Sequence, residues 1–182
     1  MSTTVGESAI EGVVELVARP FNDHRGAFLN AFRLDEPPFS EVWGDRSVRQ
    51  VNISRTDEVG SVRGLHLQSP PYAEMKIVRC LRGLVWDVAV DLRPTSATFG
   101  HWHAVELAPS MANALVIPEG CAHGFQVLEP RSELLYLHSR EWVPEVETGV
   151  RYDDPELAIA WPLRPNDLSA RDLALPLLES RA

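Results

Sequence analysis

Short apolar segments, and not long helical repeats, dominate the pattern along this chain. Runs rich in Val, Ile, Leu and Trp are interrupted every few residues by Gly, Pro, Asp or Ser, which is typical of strands joined by close turns. The segments that read as strands are VVELVARPF, SVRQVNIS, VRGLHLQ, MKIVRCLRG, LVWDVAVDLR, HWHAVELA, NALVIPEG, HGFQVLE and ELLYLHSREW. So many short strands predict an all-β fold of the sandwich, jelly-roll or barrel type.

Alternation within one of these segments is regular enough to assign its two faces. Side chains on a strand point alternately to opposite sides of the sheet, so LVWDVAVDL separates into two sets. The predicted faces are Trp86, Val88 and Val90 on one side, and Val85, Asp87, Ala89 and Asp91 on the other.

The C-terminal region departs from the strand pattern. The tail NDLSARDLALPLL reads as a short helix that Ser169 caps and Pro176 interrupts. We find no internal repeat, linker or low-complexity segment. A length of 182 residues suits one domain, which we place over residues 1–182.

Composition narrows the choice of partners. The formal net charge is −9, which argues against nucleic acid as a partner because a phosphate backbone requires a basic face. No apolar run is long enough to span a bilayer, and MSTTVGESAIEGV has no signal-peptide pattern. Cys80 and Cys121 show neither metal spacing nor a disulfide pattern, so we expect a cytoplasmic location. An anionic ligand would need a local cluster of basic side chains.

The stretch SVRGLHLQ carries unusual polar residues for a strand. In a regular strand, Gly64, His66 and Gln68 point one way and Arg63 points the other. Arg63 reaches the face of His66 only if Gly64 carries a bulge, a role that suits glycine. A lone strand histidine is commonly a structural residue, so its neighbours decide its interpretation.

Neighbouring segments supply further groups with acid–base chemistry. Lys76 follows on the next strand, and His123 follows a Pro-Gly turn. Tyr136 and Trp142 both lie in ELLYLHSREW. Lys76 is the single lysine beside 16 arginines, which reflects either codon bias or a position that requires a compact ammonium group. A base, an ammonium and a phenol together suit proton abstraction beside a carbonyl, with the ammonium stabilising the enolate.

These residues lie in an ordered series of motifs that resembles a known family. The motifs are FNDHRGAF, RQVNIS, VRGLHLQ, EMKIVRC, GLVWDVAVDLRPTSATFG, VIPEGCAHGF, LLYL, YDDPELAIAWP and LSARDLALP. In this order they resemble the cupin-type nucleotide-sugar epimerases, the family of dTDP-4-dehydrorhamnose 3,5-epimerase. The resemblance implies an all-β double-stranded β-helix (cupin jelly roll) with a short C-terminal helical segment. It also implies a homodimer that exchanges N-terminal strands, and an isomerase that needs no cofactor and no metal.

The resemblance further implies a reaction and a role for each matching residue. The reaction is epimerisation of a nucleotide-diphospho-4-keto-6-deoxyhexose at C3, C5 or both, in deoxysugar biosynthesis. His66 would be the base, Asp172 would orient it, Tyr136 would be the acid on the opposite ring face, and Lys76 would stabilise the enolate. The implied substrate-binding residues are Arg25 (toward the partner subunit's ligand), Asn30, Gln50, Asn52, Arg63, His123, Trp142, Glu147 and Arg171.

Several of these residues have simpler interpretations. Ser169-x-x-Asp172 is a capping box, in which Asp172 would only cap its own helix. Tyr136 alternates with leucines, as a core tyrosine does. Two further functions also remain open: a metal-dependent cupin enzyme that uses His101, His103 and His123, and a catalytically silent cupin that binds sugar nucleotides.

Two positions depart from the family pattern. The family usually has Glu where Asn30 stands and Tyr where Trp142 stands, and both positions are expected at the nucleotide end of the pocket. Trp still stacks on a base, whereas an Asn amide can donate as well as accept a hydrogen bond. We therefore keep open a base other than thymine, with a CDP-sugar as one candidate.

Overall fold

The computed structural model describes residues 3–178, and strands dominate this region. In chain order the strands are β1 (Thr3–Glu7), β2 (Val14–Ala18), β3 (Phe21–Asp23), β4 (Gly26–Phe28), β5 (Gln50–Thr56), β6 (Val62–Gln68), β7 (Lys76–Arg82), β8 (Val85–Asp91), β9 (Trp102–Leu107), β10 (Asn113–Ile117), β11 (Cys121–Val127), β12 (Ser132–His138) and β13 (Glu147–Gly149). The helices are α1 (Phe39–Trp43) and α2 (Ala170–Leu173), with 3₁₀ turns at Pro109–Met111 and Pro144–Val146.

The strands form two large sheets and one hairpin. One sheet has six strands in the order β1-β2-β10-β7-β12-β5, and the other has five in the order β13-β6-β11-β8-β9. The non-consecutive order of neighbours is that of a jelly roll, and β3 pairs separately with β4. The predicted all-β jelly-roll class is therefore confirmed, whereas one domain over residues 1–182 stays a prediction.

The core lies between the two large sheets. Val78 and Leu134 of the six-stranded sheet are buried against Val85, Ala89 and Phe125 of the five-stranded sheet. Removing this much apolar surface from water is the main force that holds the sheets face to face. The packing also confirms the alternation predicted for β8.

The outer face of each sheet is covered as well. Phe39 and Trp43 of α1 pack on the outer face of the six-stranded sheet, where Leu16 and Ile77 lie. On the other side, Val88 and Val90 belong to a cluster with Leu65, Val150 and Leu157. The outer face of each sheet therefore has apolar cover at these strands, which explains why β8 carries apolar residues on both of its faces.

The C-terminal helix forms where the sequence predicts it. The Ser169 hydroxyl accepts a hydrogen bond from the Asp172 backbone N–H, and α2 ends at Leu173, before Pro176. Within residues 3–178, no helix is both long enough and apolar enough to cross a membrane.

Candidate active site

A cavity of about 550 Å³ opens between the ends of the two sheets. This volume is in the range of small-molecule sites. The sequence-predicted residues that line the cavity are Gln50, Asn52, Arg63, His66, Lys76, His123, Tyr136, Trp142, Glu147 and Arg171. The fold thus brings together residues that are as far apart in the chain as Gln50 and Arg171.

His66 and Asp172 form a close pair at the wall of this cavity. His66 Nε2 lies 2.7 Å from Asp172 Oδ1, and Asp172 Oδ2 accepts a hydrogen bond from the Gly64 backbone N–H at 3.4 Å. Burial alone would raise the pKa of Asp172, but the hydrogen bond and charge of His66 outweigh it and hold this pKa below its ordinary value. The carboxylate beside Nε2 favours the tautomer with the proton on Nε2, which leaves Nδ1, near Arg171 Nη2, as the nitrogen that can accept a proton.

A bulge at Gly64 brings Arg63 to the same cavity as His66. The pairing between β6 and β11 changes register between His123↔His66 and Phe125↔Arg63, so β6 contains one extra residue. Gly64 has a φ of +113°, and a Cβ there would lie 2.6 Å from both the Gly124 Cα and the His123 carbonyl oxygen. Only glycine fits this position, and the bulge predicted from the sequence is confirmed.

Tyr136 presents a neutral phenol to the cavity. Its Oη lies 3.2 Å from Ser54 Oγ, and its ring makes an edge contact with His123 at a centroid distance of 5.9 Å. Burial raises the pKa of Tyr136 well above its ordinary value. The phenol therefore keeps its proton at neutral pH, and its place in the cavity wall is what distinguishes it from a tyrosine of the closed core.

His123 belongs to a second histidine–carboxylate pair. Its Nε2 lies 2.8 Å from Asp87 Oδ2, and both side chains are almost fully buried. Burial raises the pKa of Asp87, although the neighbouring His123 opposes this effect. The carboxylate fixes the orientation of the imidazole at the cavity wall.

Two ionisable residues of the cavity, Glu74 and His138, are absent from the sequence predictions, as are Val51, Ile53, Ser54 and Phe125. Glu74 Oε1 lies 3.1 Å from Lys76 Nζ, and Glu74 Oε2 lies 2.8 Å from His138 Nδ1. The lysine ammonium also lies 3.4 Å from the backbone carbonyl oxygen of His66. Period-two spacing could have found both residues, because Glu74 shares a face with Lys76 and His138 shares one with Tyr136.

The rim of the cavity carries a linked set of polar groups. The Trp142 indole N–H donates to Glu147 Oε2 at 2.9 Å, and Arg171 Nη2 donates to Glu147 Oε1 at 2.9 Å. Arg171 Nη2 also lies 3.4 Å from His66 Nδ1. The Trp142 side chain is largely exposed, so one face of its ring is free to stack on a planar group.

Two predicted binding residues lie outside this cavity. Arg25 is at the tip of the β3–β4 hairpin, where it pairs with Asp23 and is 78% exposed. Asn30 lies in a narrow crevice beside Arg19 and Arg33. A single chain therefore does not bring Arg25 or Asn30 to its own cavity.

The alternative metal site has no geometric support. Within residues 3–178, no group of three or more His, Cys, Asp or Glu side chains is arranged to hold a metal ion. His103 and His123 pair with opposite sides of Ala89, so one strand separates them and their backbones lie about 10 Å apart. His101 is exposed and precedes β9.

Comparison with known proteins decides the family. The family model described as dTDP-4-dehydrorhamnose 3,5-epimerase matches residues 7–180. The chain belongs to the dTDP-4-dehydrorhamnose 3,5-epimerase family. This result confirms the resemblance drawn from the motifs, and it confirms the predicted class of enzyme, an isomerase that acts as a carbohydrate epimerase.

Relatives in this family are similar over most of their length. The dTDP-4-dehydrorhamnose 3,5-epimerase of Salmonella typhimurium is 39% identical over 175 residues, which cover 95% of this chain and 94% of the relative. The dTDP-4-dehydrorhamnose 3-epimerase of Streptomyces niveus is 42% identical over 175 residues, which cover 94% of this chain and 83% of the relative. The names of these two relatives differ in the number of carbons that are epimerised.

A solved structure of a relative has the same fold over nearly the whole chain. The epimerase of Legionella pneumophila, in complex with dTDP-4-keto-L-rhamnose, superposes with a TM-score of 0.91 at 35% identity. The match covers 97% of this chain and 93% of the Legionella chain.

Proposed function

We propose that this chain epimerises a nucleotide-diphospho-4-keto-6-deoxyhexose at C3, C5 or both, in deoxysugar biosynthesis. The observation that supports this function best is the pairing of His66 with Asp172 in the cavity that Tyr136 and Lys76 also line. A base, an acid and an oxyanion stabiliser are the groups that inversion beside a ketone requires. The reaction needs no metal and no redox cofactor in this scheme.

The chemistry proceeds in two proton transfers. His66 Nδ1 takes the proton from the carbon beside the C4 ketone, and the C–H electron pair forms the enolate. The Lys76 ammonium stabilises the negative charge that develops on the C4 oxygen. Tyr136 then donates its proton to the opposite face of the same carbon. Solvent returns a proton to the phenolate and removes one from the imidazolium.

Each group has a setting in the structure that supports its role. Asp172 stabilises the imidazolium that forms when His66 accepts a proton, as a charged partner at 2.7 Å does. Tyr136 is protonated at neutral pH and lines the cavity, so it has a proton to donate to the carbanion carbon. Each acid or base contributes about 10²–10⁴ in rate.

Arginine side chains supply the local basic cluster that the charge of −9 makes necessary. Arg63 and Arg171 line the cavity, and a guanidinium can hold a diphosphate through two parallel hydrogen bonds. Trp142 lies at the rim, where it would stack on the nucleobase. His123, Gln50, Asn52 and Glu147 would contact the sugar or the phosphates.

We infer a homodimer from apolar surface that the single chain leaves open. Phe21 and Phe28 of the β3–β4 hairpin are 59% and 63% exposed, and Val51 and Ile53 of the edge strand β5 are 55% and 64% exposed. Exposed apolar side chains on an edge strand commonly mark an interaction surface. Packing of the hairpin of one chain on β5 of another would carry Arg25 and Asn30 toward the partner's cavity.

The nucleobase and the cellular location complete the proposal. Asn30 keeps open a base other than thymine, and CDP is the alternative to dTDP. Cys80 and Cys121 are both buried and unpaired, which supports the cytoplasm as the location.

Turnover of the substrate tests the function. Purified protein is incubated with a dTDP-4-keto-6-deoxyhexose, and the sugar ring protons are followed by NMR. Appearance of the C3 or C5 epimer supports the proposal. Tight binding with an unchanged ring would instead indicate the catalytically silent cupin. Calorimetric titration with dTDP, CDP, UDP and GDP identifies the base, and a clear preference for dTDP would end the CDP hypothesis.

A further inference from the structure

Glu74 connects two basic groups in the wall of the cavity. One carboxylate oxygen pairs with Lys76 Nζ at 3.1 Å, and the other accepts a hydrogen bond from His138 Nδ1 at 2.8 Å. All three side chains are at least nine-tenths buried. Each oxygen therefore has its own donor, and the two contacts together fix the plane of the carboxylate.

The hydrogen bonds that lead to Glu74 have a consistent direction. Gln50 Nε2 donates to Asn52 Oδ1 at 3.0 Å, which leaves the Asn52 amino group facing His138 Nε2 at 3.4 Å. His138 Nε2 thus accepts from Asn52, and the ring proton lies on Nδ1, where it is donated to Glu74. A series of contacts therefore leads from Gln50 through Asn52, His138 and Glu74 to Lys76.

The same series of hydrogen bonds begins at the rim of the cavity. The Trp142 backbone N–H donates to Gln50 Oε1 at 2.9 Å, so the segment proposed to hold the nucleobase is linked to the groups beside the ketone. His138 also stacks against Tyr136, with a centroid distance of 5.9 Å and an interplanar angle of 20°. His138 therefore contacts the acid and supports the carboxylate that pairs with the ammonium.

Charge explains why Glu74 is needed in this position. A buried ammonium is costly unless an opposite charge compensates for its lost hydration. Burial alone would raise the pKa of Glu74, but its contacts with His138 and Lys76 outweigh it and lower this pKa, so Glu74 is ionised. Asp87 is the other nearby carboxylate, and one of its oxygens is already occupied by His123.

We propose that Glu74 and His138 are positioning residues that hold the Lys76 ammonium in place and directed at the C4 oxygen. This inference rests on the function proposed above, in which Lys76 stabilises the enolate. Glu74 supplies the counter-charge, and His138 locks the carboxylate in the orientation that pairs with Lys76. Neither residue exchanges a proton with the substrate.

Variants of Glu74 test the counter-charge. Glu74→Gln keeps the size of the side chain and removes its charge, so we expect kcat to fall by about 10²-fold with KM changed little. Glu74→Asp keeps the charge and should recover part of the loss. The matched control is Glu133→Gln on β12, which removes a carboxylate that pairs with Arg55 outside the cavity. Unchanged kcat in Glu74→Gln, or an equal loss in the control, would overturn the proposal.

Variants of His138 separate positioning from packing. His138→Gln retains one donor and one acceptor, whereas His138→Phe retains a ring that can stack on Tyr136 and loses both polar contacts. We expect His138→Phe to lower kcat about tenfold and His138→Gln to lower it less. The reverse order, with the stacked Phe more active than Gln, would show that only packing matters.

A third measurement does not depend on turnover. Acylating reagents modify only deprotonated amines, and Lys76 is the single lysine of the chain, so peptide mass spectrometry isolates its reaction. Loss of the ion pair in Glu74→Gln should release the Lys76 side chain from its fixed position and speed its acylation several-fold at pH 8, while Glu133→Gln should match the native protein. Equal rates in all three proteins would contradict the positioning role. A native protein that fails to epimerise would instead reject the proposed function, and the acylation rates would still decide how Glu74 acts on Lys76.

Discussion

His66 Nε2 lies 2.7 Å from Asp172 Oδ1, although 106 positions separate the two residues in the chain. The contact joins a strand near the middle of the five-stranded sheet to the first turn of α2. Ser169 caps that helix with its own hydroxyl, which leaves the Asp172 carboxylate free to face the imidazole. The capping motif and the proposed catalytic role are therefore compatible, since the backbone N–H of Asp172 serves the cap and its side chain contacts His66.

Removing the charge of Asp172 should slow the chemistry without weakening binding. Asp172→Asn keeps the size of the side chain, but it no longer stabilises an imidazolium at His66. We expect kcat to fall by about 10²-fold with KM near the native value, as measured by initial rates. Ser169→Ala is the control, because it removes the helix cap at a cost of about 1 kcal/mol and retains the carboxylate. Native activity in Asp172→Asn would argue that Asp172 has only a structural role.

Gly64 should tolerate no side chain. A Cβ there would lie 2.6 Å from two backbone atoms of β11, and the φ of +113° is itself unfavourable for alanine. We expect Gly64→Ala to lower the free energy of unfolding by about 2 kcal/mol or more in urea titrations. Gly26→Ala is the matched control, since Gly26 also has a positive φ but nothing within 4 Å of the added Cβ. A similar loss in both variants would show that the close contact with β11 is unimportant.

Stability should decrease in acid because of two carboxyl groups. Hydrogen bonds from His66 and His138 outweigh burial and hold the pKa values of Asp172 and Glu74 below the ordinary 3.8 and 4.5. A carboxyl whose pKa is lower in the folded chain stabilises the fold above its unfolded pKa, and this contribution is lost as pH falls through the folded pKa. We therefore expect the free energy of unfolding to drop as pH falls below about 4.5.

Variants show which carboxyl groups cause the loss of stability in acid. Asp172→Asn should show a shallower decrease than the native protein in urea titrations between pH 3 and 7. Asp87 has the opposite effect on the pH dependence of the free energy of unfolding. Burial raises the pKa of Asp87, so its stabilising contribution is present at low pH and is lost as pH rises. Asp87→Asn should therefore steepen the decrease in acid. Parallel curves for all three proteins would contradict the assignment.

Arg25 should act on the cavity of the partner chain. Arg25→Ala and His66→Asn homodimers are each expected to be nearly inactive. After the two are unfolded and refolded together in equal amounts, one site of each mixed dimer has both residues. We expect about a quarter of native activity to return, because half of the dimers are mixed and each has one intact site. An Arg25→Ala homodimer with native activity would place Arg25 outside the site, and mixtures that stay as inactive as their components would show that Arg25 acts on its own chain's cavity.

The sequence predicted those parts of the fold that local patterns control. Alternation placed Val85 and Val88 on opposite faces, and the glycine of VRGLHLQ indicated the bulge that the register change confirms. It missed β1, the β3–β4 hairpin, β13 and α1, which are only three to five residues long. Segments this short contain too few positions to establish a period.

The site was less accessible to prediction from local sequence. The motifs indicated His66 and Tyr136, but they did not indicate Glu74 and His138. Their contact depends on the pairing of β7 with β12, in which His138 lies opposite Lys76. The register between distant strands is set by packing of the whole sheet, so the sequence of one segment does not determine which residues it pairs with.

Deuterium exchange into the substrate tests the central claim most directly. The native protein is incubated in D₂O with a dTDP-4-keto-6-deoxyhexose, and deuterium at C3 and C5 is measured by NMR and mass spectrometry. We expect deuterium at one or both carbons with the native protein. We expect none with His66→Asn, which should still bind the nucleotide with nearly native affinity. Exchange that persists in His66→Asn, or nucleotide affinity lost while exchange continues, would contradict the assignment of His66 as the base.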